Sequence, residues 1–219
     1  MRKLENLPFR KRKYENMKRN FISILAVLML IGLLGLAEMS LAVESTWTQK
    51  ADMTTPRFGL SASAVKGKIY AIGGWGNAGK LSAVEEYDPA TDTWATKTDM
   101  PTARKGMATG MMNGKIYAFS GANQANSHDG QGLVTAAEEY DPAADIWTKK
   151  EDIPTARFGA AASAVDGKIY VIGGWGSGVP LSVVEMYDPV TDNWEKRANM
   201  PRSIAHMGSA SMDGKITFL

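Results

Sequence analysis

Cysteine is absent from this sequence, which excludes disulfides, thiolate metal sites and cysteine nucleophiles while leaving the compartment open. Histidine is nearly absent: His128 and His206 are the only two, so acid–base chemistry has few candidates. No stretch after Val43 shows a helical period. No glycine-rich turn precedes a helix, as phosphate binding would need, and no nucleophile elbow is present. A basic body is missing too. Residues 43–219 carry 17 basic against 20 acidic side chains, a net charge of −3, although the whole chain is +2. Nucleic acid is therefore not an expected partner.

The missing positive charge sits at the start of the chain. Eight Lys and Arg, against Glu5, Glu15 and Glu38, occupy residues 1–42. They precede an uncharged run from Phe21 to Ala37, and Ser40-Leu41-Ala42 follows. A basic start, an apolar middle and a small-x-small end describe a secretory signal with cleavage before Val43. An uncleaved anchor is the competing reading, because the 17-residue run is at the lower limit for spanning the hydrocarbon core. Both predict a hydrophobic helix at residues 1–42 and an exported body: periplasmic, secreted or membrane-anchored, with the membrane touched only through this segment.

What the body has is repetition. Gly167-Lys168-Ile169-Tyr170-Val171-Ile172-Gly173-Gly174-Trp175-Gly176 nearly repeats residues 67–76, and a weaker copy spans 114–121. Recurrence at this interval marks a repeat architecture. The units are 54–100, 101–153 and 154–200, with a partial unit at 201–219 and an orphan outer strand at 47–50. Over half the positions of the first and third units are identical. Each full unit predicts four short strands. The first (58–65, 105–112, 158–165) has small residues at period two, suited to crowding on both faces. Lys66-Gly67, Asn113-Gly114, Asp166-Gly167 and Asp213-Gly214 follow as hairpin turns requiring positive φ. The second strand is the Lys-Ile-Tyr phrase, ending at glycines. A loop leads to the third strand (82–87, 136–140, 182–187), Asp-Pro turns the chain, and the fourth strand starts at Trp94, Trp147 or Trp194.

Four-stranded units of this length predict an all-β propeller whose blades cover one another's faces. The pattern resembles the kelch motif: Gly73-Gly74, Tyr87 and Trp94; Gly121, Tyr140 and Trp147; Gly173-Gly174, Tyr187 and Trp194. The middle unit departs from it, with Ser120 in place of the first glycine. About 3.5 blades are present, whereas the resemblance implies six or seven. Three arrangements follow: a piece of a longer propeller, two chains self-associating into one ring, or a small four-bladed ring.

Arg57, Arg104 and Arg157 recur once per unit before the first strand, and Glu85, Glu138 and Glu185 recur on the third. A catalytic group is needed once and a scaffold group in every unit, so these read as structural contacts. The repeat tyrosines and tryptophans read as packing aromatics. Trp75 and Trp175 follow the glycines at a loop start, where aromatics suit sugar stacking or a protein contact, or a plug over the blade end. A six-residue insertion places Asn123, Gln124, His128 and Asp129 in the 122–133 loop of the middle unit only. A feature unique to one repeat marks a binding face. His128 and Asp129 have no third ligand nearby in sequence, so a solvated loop is expected and neither metal nor cofactor is assigned.

The expected function is a non-catalytic exported scaffold that binds protein or glycan through blade loops. The alternative implied by the resemblance is a carbohydrate-active enzyme of the sialic acid epimerase or mutarotase type, with Arg202, His206 and His128 as the available groups. Galactose oxidation of the kelch type is disfavoured, because it needs a cysteine.

Overall fold

The computed structural model describes residues 47–218. The expected leader or anchor, with its helix, lies outside the described residues. Among the described residues there are strands and turns and no helix.

The first unit contains β1 (Ser61–Val65), β2 (Lys68–Ile72), the two-residue β3 (Trp75–Gly76) and β4 (Gly79–Lys80), β5 (Val84–Asp88) and β6 (Thr93–Lys97). The second contains β7 (Ala108–Met112), β8 (Lys115–Phe119), β9 (Ala137–Asp141) and β10 (Ile146–Lys150). The third repeats the first with β11 (Ala161–Val165), β12 (Lys168–Ile172), β13 (Trp175–Gly176), β14 (Val179–Pro180), β15 (Val184–Asp188) and β16 (Asn193–Lys196). The hairpin β17 (Ser209–Met212) and β18 (Lys215–Phe218) follows. Three four-stranded antiparallel sheets result, ordered β1-β2-β5-β6, β7-β8-β9-β10 and β11-β12-β15-β16. These are blades. Their inner strands β1, β7, β11 and β17 are packed neighbours in that order.

Local chemistry explains the strand limits. The four hairpin turns hold both residues at positive φ, for example Asn113 at 53° and Gly114 at 74°, as a tight turn matched to strand twist requires. The inner strands begin three residues later than expected. Gly59, Gly106 and Gly159 lie at φ 63°, 61° and 62°, which breaks extended backbone. Phe58 and Phe158 ahead of them are reduced to single bridges with Trp75 and Trp175, and Lys105 to one with Ala122. The loop between second and third strands is not plain loop in blades 1 and 3. It folds into the small hairpins β3–β4 and β13–β14. The outer strand expected at 47–50 is not formed, because no third strand among the described residues lies beside it to pair.

The core lies between blades. Val65, Tyr70, Ile72, Val84, Met100, Met107, Ile116 and Tyr140 fill the space between blades 1 and 2. Tyr117, Phe119, Ile153, Ile169, Val171 and Tyr187 fill the space between blades 2 and 3. One position shows the dependence on a neighbour. Ile116 and Ile169 are wholly buried, whereas their counterpart Ile69 is 38% exposed, since no described blade precedes it. Full burial of such a side chain contributes about 1.5–3 kcal/mol.

Candidate functional site

At the end of each blade that carries the second-to-third-strand connection, the arginine before the inner strand turns inward. Arg104 is wholly buried. It donates to the carbonyls of Ser120 (2.7 Å), Thr102 (2.8 Å) and Ala118 (3.0 Å), and to the Glu138 carboxylate. Arg57 donates to Glu85 Oε2 and to the carbonyl of Ala83, each at 2.8 Å. Arg157 pairs with Glu185 and donates to the carbonyls of Gly173 (3.2 Å) and Val183 (3.1 Å). A threonine completes each node: Thr55, Thr102 and Thr155 donate to the other oxygen of Glu85, Glu138 and Glu185 at 2.8, 2.7 and 2.7 Å. Burial pulls Arg104 and Arg157 below the ordinary guanidinium range, and their glutamates pull them back up. Such groups are tied to carbonyls that close the sheet ends.

The same arginines connect blades through their own carbonyls. Gly74 N–H donates to Arg104 O (2.9 Å), and Gly121 N–H to Arg157 O (2.8 Å). Here the glycines are required. Gly73 lies at φ 60°, and a Cβ on it would stand 2.6 Å from Arg104 O. Ser120 stands where glycine is otherwise found. It takes φ 55°, and its hydroxyl accepts from Arg157 N–H at 2.8 Å while lying 2.6 Å from Arg157 O.

At the outer edge, the tyrosine, tryptophan and a later aspartate form a stitch. Tyr87, Tyr140 and Tyr187 each donate to Asp92, Asp145 and Asp192 at 2.6 Å. Those aspartates accept the backbone N–H of Ala51, Thr98 and Glu151 at 2.9, 2.9 and 3.0 Å. Trp94, Trp147 and Trp194 return the contact, donating Nε1–H to the carbonyls of the same three residues at 2.9, 3.0 and 2.8 Å. The bond to Asp92 pushes the Tyr87 hydroxyl up to about 12. Asp92 is held below the usual carboxylate range by the Ala51 N–H and then by Tyr87.

The remaining residues lie around the connection end and are not repeated in the same way. Trp75 bridges to Phe58, and Lys105 Nζ stands 5.1 Å from the Trp75 ring and 5.4 Å from the Phe58 ring, a cation–π arrangement. In blade 3 the equivalent pair, Trp175 and Phe158, is covered by His128 instead. The His128 ring meets Trp175 at 5.4 Å and Phe158 at 5.2 Å, both edge to face, and Trp175 Nε1–H donates to His128 O at 2.8 Å. The 122–133 loop is therefore not simply solvated. Ser127 within it is buried, and its Gly130 lies so close to Ser177 that a Cβ would stand 2.8 Å from that backbone.

Of the residues singled out from sequence, His128 and Trp175 are brought together. Trp75 is reached through Lys105, whose ammonium also donates to the Ala125 carbonyl of the same loop. Asn123 closes the loop base, its N–H donating to Gly132 O at 2.8 Å, and Gln124 packs over Gly132. Asp129 is exposed and accepts from Gln131 N–H at 3.0 Å. Phe158, Lys105 and the three threonines were missed. Their signal was available, since the threonines precede every repeat arginine by two residues and the two phenylalanines follow one directly.

A model of the kelch motif matches residues 56–101 and 156–201. Kelch-like protein terF of Aspergillus terreus is 32% identical over 143 residues, which is 60% of this chain and 30% of that protein. Kelch-like protein 35 of Mus musculus is 30% identical over 167 residues, 59% of this chain and 29% of that protein. The chain thus spans about 30% of the length of these curated relatives. The solved structure of YjhT shares the fold at a TM-score of 0.69 and 22% identity, covering 79% of this chain and 62% of that one. Four-stranded blades, glycine-tyrosine-tryptophan spacing, motif match and kelch-like relatives agree: the chain carries kelch repeats and is a kelch-type propeller scaffold.

Proposed function

We propose that the chain is an exported, non-catalytic scaffold that binds a protein or glycan at the connection end of its blades. The observation that carries this reading is the contrast between repeated and unrepeated residues. Every arginine–glutamate node ties strands within its own blade, and every tyrosine–aspartate–tryptophan stitch ties a blade to the segment before it. Among the residues exposed at the connection end, the 122–133 loop with Gln124, His128 and Asp129, seated on Trp175, belongs to one unit alone. Export rests on the basic-apolar-small pattern of residues 1–42. The exposed Ile69 of blade 1 is chemically the face that blade 2 covers in blade 3, which supports self-association as a further route to covering it. The test replaces residues 123–129 by alanine in the full chain and compares binding to a glycan array and to surface proteins of the same organism. Loss of a wild-type interaction supports the reading. Unchanged binding removes the loop from it.

A carbohydrate-active enzyme is a second reading favoured by one observation. His128 and His206, from different units, approach with ring centroids 6.3 Å apart, which puts two titratable imidazoles beside one another. Proton-NMR assay of sugar anomers and epimers with the purified protein separates it from the scaffold reading.

A further inference from the structure

An axial ladder of backbone bonds joins the units. Gly106 N–H donates to Gly59 O (2.7 Å), Gly159 N–H to Gly106 O (2.8 Å), and His206 N–H to Gly159 O (2.7 Å). The first three rungs are glycines at φ near 60°, and His206 takes the fourth at φ 57°. A left-handed backbone costs a side chain that glycine avoids, so a histidine kept there points to a use for its ring. That ring lies over Gly159, where a Cβ would stand 2.7 Å from His206 Nδ1. The ring also meets Phe158 at 5.4 Å.

The second departure from the repeat supplies the partner. The insertion carries the chain's other histidine, and its docking on Trp175 and Phe158 brings His128 to His206 across 78 residues of sequence. Both histidines are exposed at the surface. The Nδ1 of His128 is 3.3 Å from Asn126 Oδ1. An N–H donated there leaves Nε2 as the lone pair, the way metal-binding imidazoles are commonly oriented. We propose that His128 and His206 together hold one divalent transition ion of the zinc class, clasping the 122–133 loop to the fourth rung of the ladder. Among the described residues no third His, Asp or Glu completes a cluster, so water or a ligand fills the remaining positions. With metal–nitrogen bonds of ~2.1 Å, two imidazoles on one tetrahedral ion have centroids about 5 Å apart. The present 6.3 Å therefore requires the loop to close by roughly 1 Å.

The test is isothermal titration of the untagged full chain with Zn2+. Wild type should bind one equivalent, and His206→Gly and His128→Ala should each lose at least tenfold in affinity. His206→Gly restores the residue of the other three rungs, so it keeps the fold, and the loop exchange of 122–133 in D2O should slow with Zn2+ only in wild type. Equal Zn2+ affinity in wild type and both variants, or no binding in wild type, overturns the proposal. The scaffold reading does not depend on it, because a loop that binds no metal can still bind a partner.

Discussion

Replacing Arg104 by methionine isolates the claim that the repeated arginines are structural. The side chain is wholly buried and donates to three carbonyls and to Glu138. Methionine fills similar volume but leaves the Glu138 carboxylate, 4% exposed, without its cation. Removing one partner of a buried pair costs about 3–5 kcal/mol, a large part of the ~5–15 kcal/mol that holds a domain folded. The pair itself is not a strong net stabiliser, because burial already disfavours the charged guanidinium. Arg104→Met/Glu138→Gln should therefore recover ~1–2 kcal/mol of the loss by removing the stranded charge. Arg197→Ala provides the contrast. Arg197 and Glu195 are 42% and 58% exposed, and such a pair contributes ~0–1 kcal/mol. Urea unfolding of the full chain, followed by tryptophan fluorescence, reads all three. A loss under ~1 kcal/mol for Arg104→Met, or no recovery in the double variant, refutes the reasoning.

Other perturbations have defined outcomes. Gly73→Ala should lower the urea midpoint strongly, since φ 60° and a contact at 2.6 Å from Arg104 O leave the added carbon no room. Ser120→Ala should cost ~1–3 kcal/mol in the same assay, because the buried Arg157 N–H loses its acceptor. Acid should destabilise through the stitch aspartates. Asp92 is lowered by the Ala51 N–H and Tyr87. Asp145 and Asp192 are raised by burial but lowered further by their hydrogen bonds. A depressed folded value gives stability present above the unfolded value and lost below it, so the midpoint should fall as pH drops through about 4. Asp92→Asn should flatten that fall. Trp175→Phe removes the bond to His128 O, and faster proteolysis within 122–133 is the expected readout.

The fold was legible because the signals are local and repeated. Asn113-Gly114 and Asp213-Gly214 specify their turns whatever surrounds them, and Tyr87, Tyr140 and Tyr187 recur with Trp94, Trp147 and Trp194 at one interval. Strand starts were less legible, since Gly59 reads as an ordinary strand glycine until its left-handed φ is seen. The small hairpins at Trp75 and Trp175 were hidden by their two-residue strands. His128 and Trp175 of the candidate site were visible in the sequence, whereas Phe158, Lys105 and the grouping of these residues were not. His128 and His206 look isolated in sequence, and only packing of the insertion on Phe158 and Trp175 brings them together. Ser120 looked like decay of the motif, yet its hydroxyl holds Arg157 in place.

Hydrogen exchange of the full chain, resolved to single amides, tests the central claim that blades are bound into one unit by their repeated residues. The amides of Gly74, Gly121 and Gly174, which reach the next unit's carbonyls at 2.9, 2.8 and 2.9 Å, should exchange as slowly as those inside β2, β8 and β12. Fast exchange at these three positions beside slow exchange within each sheet would mean blades that fold separately, and would contradict the account.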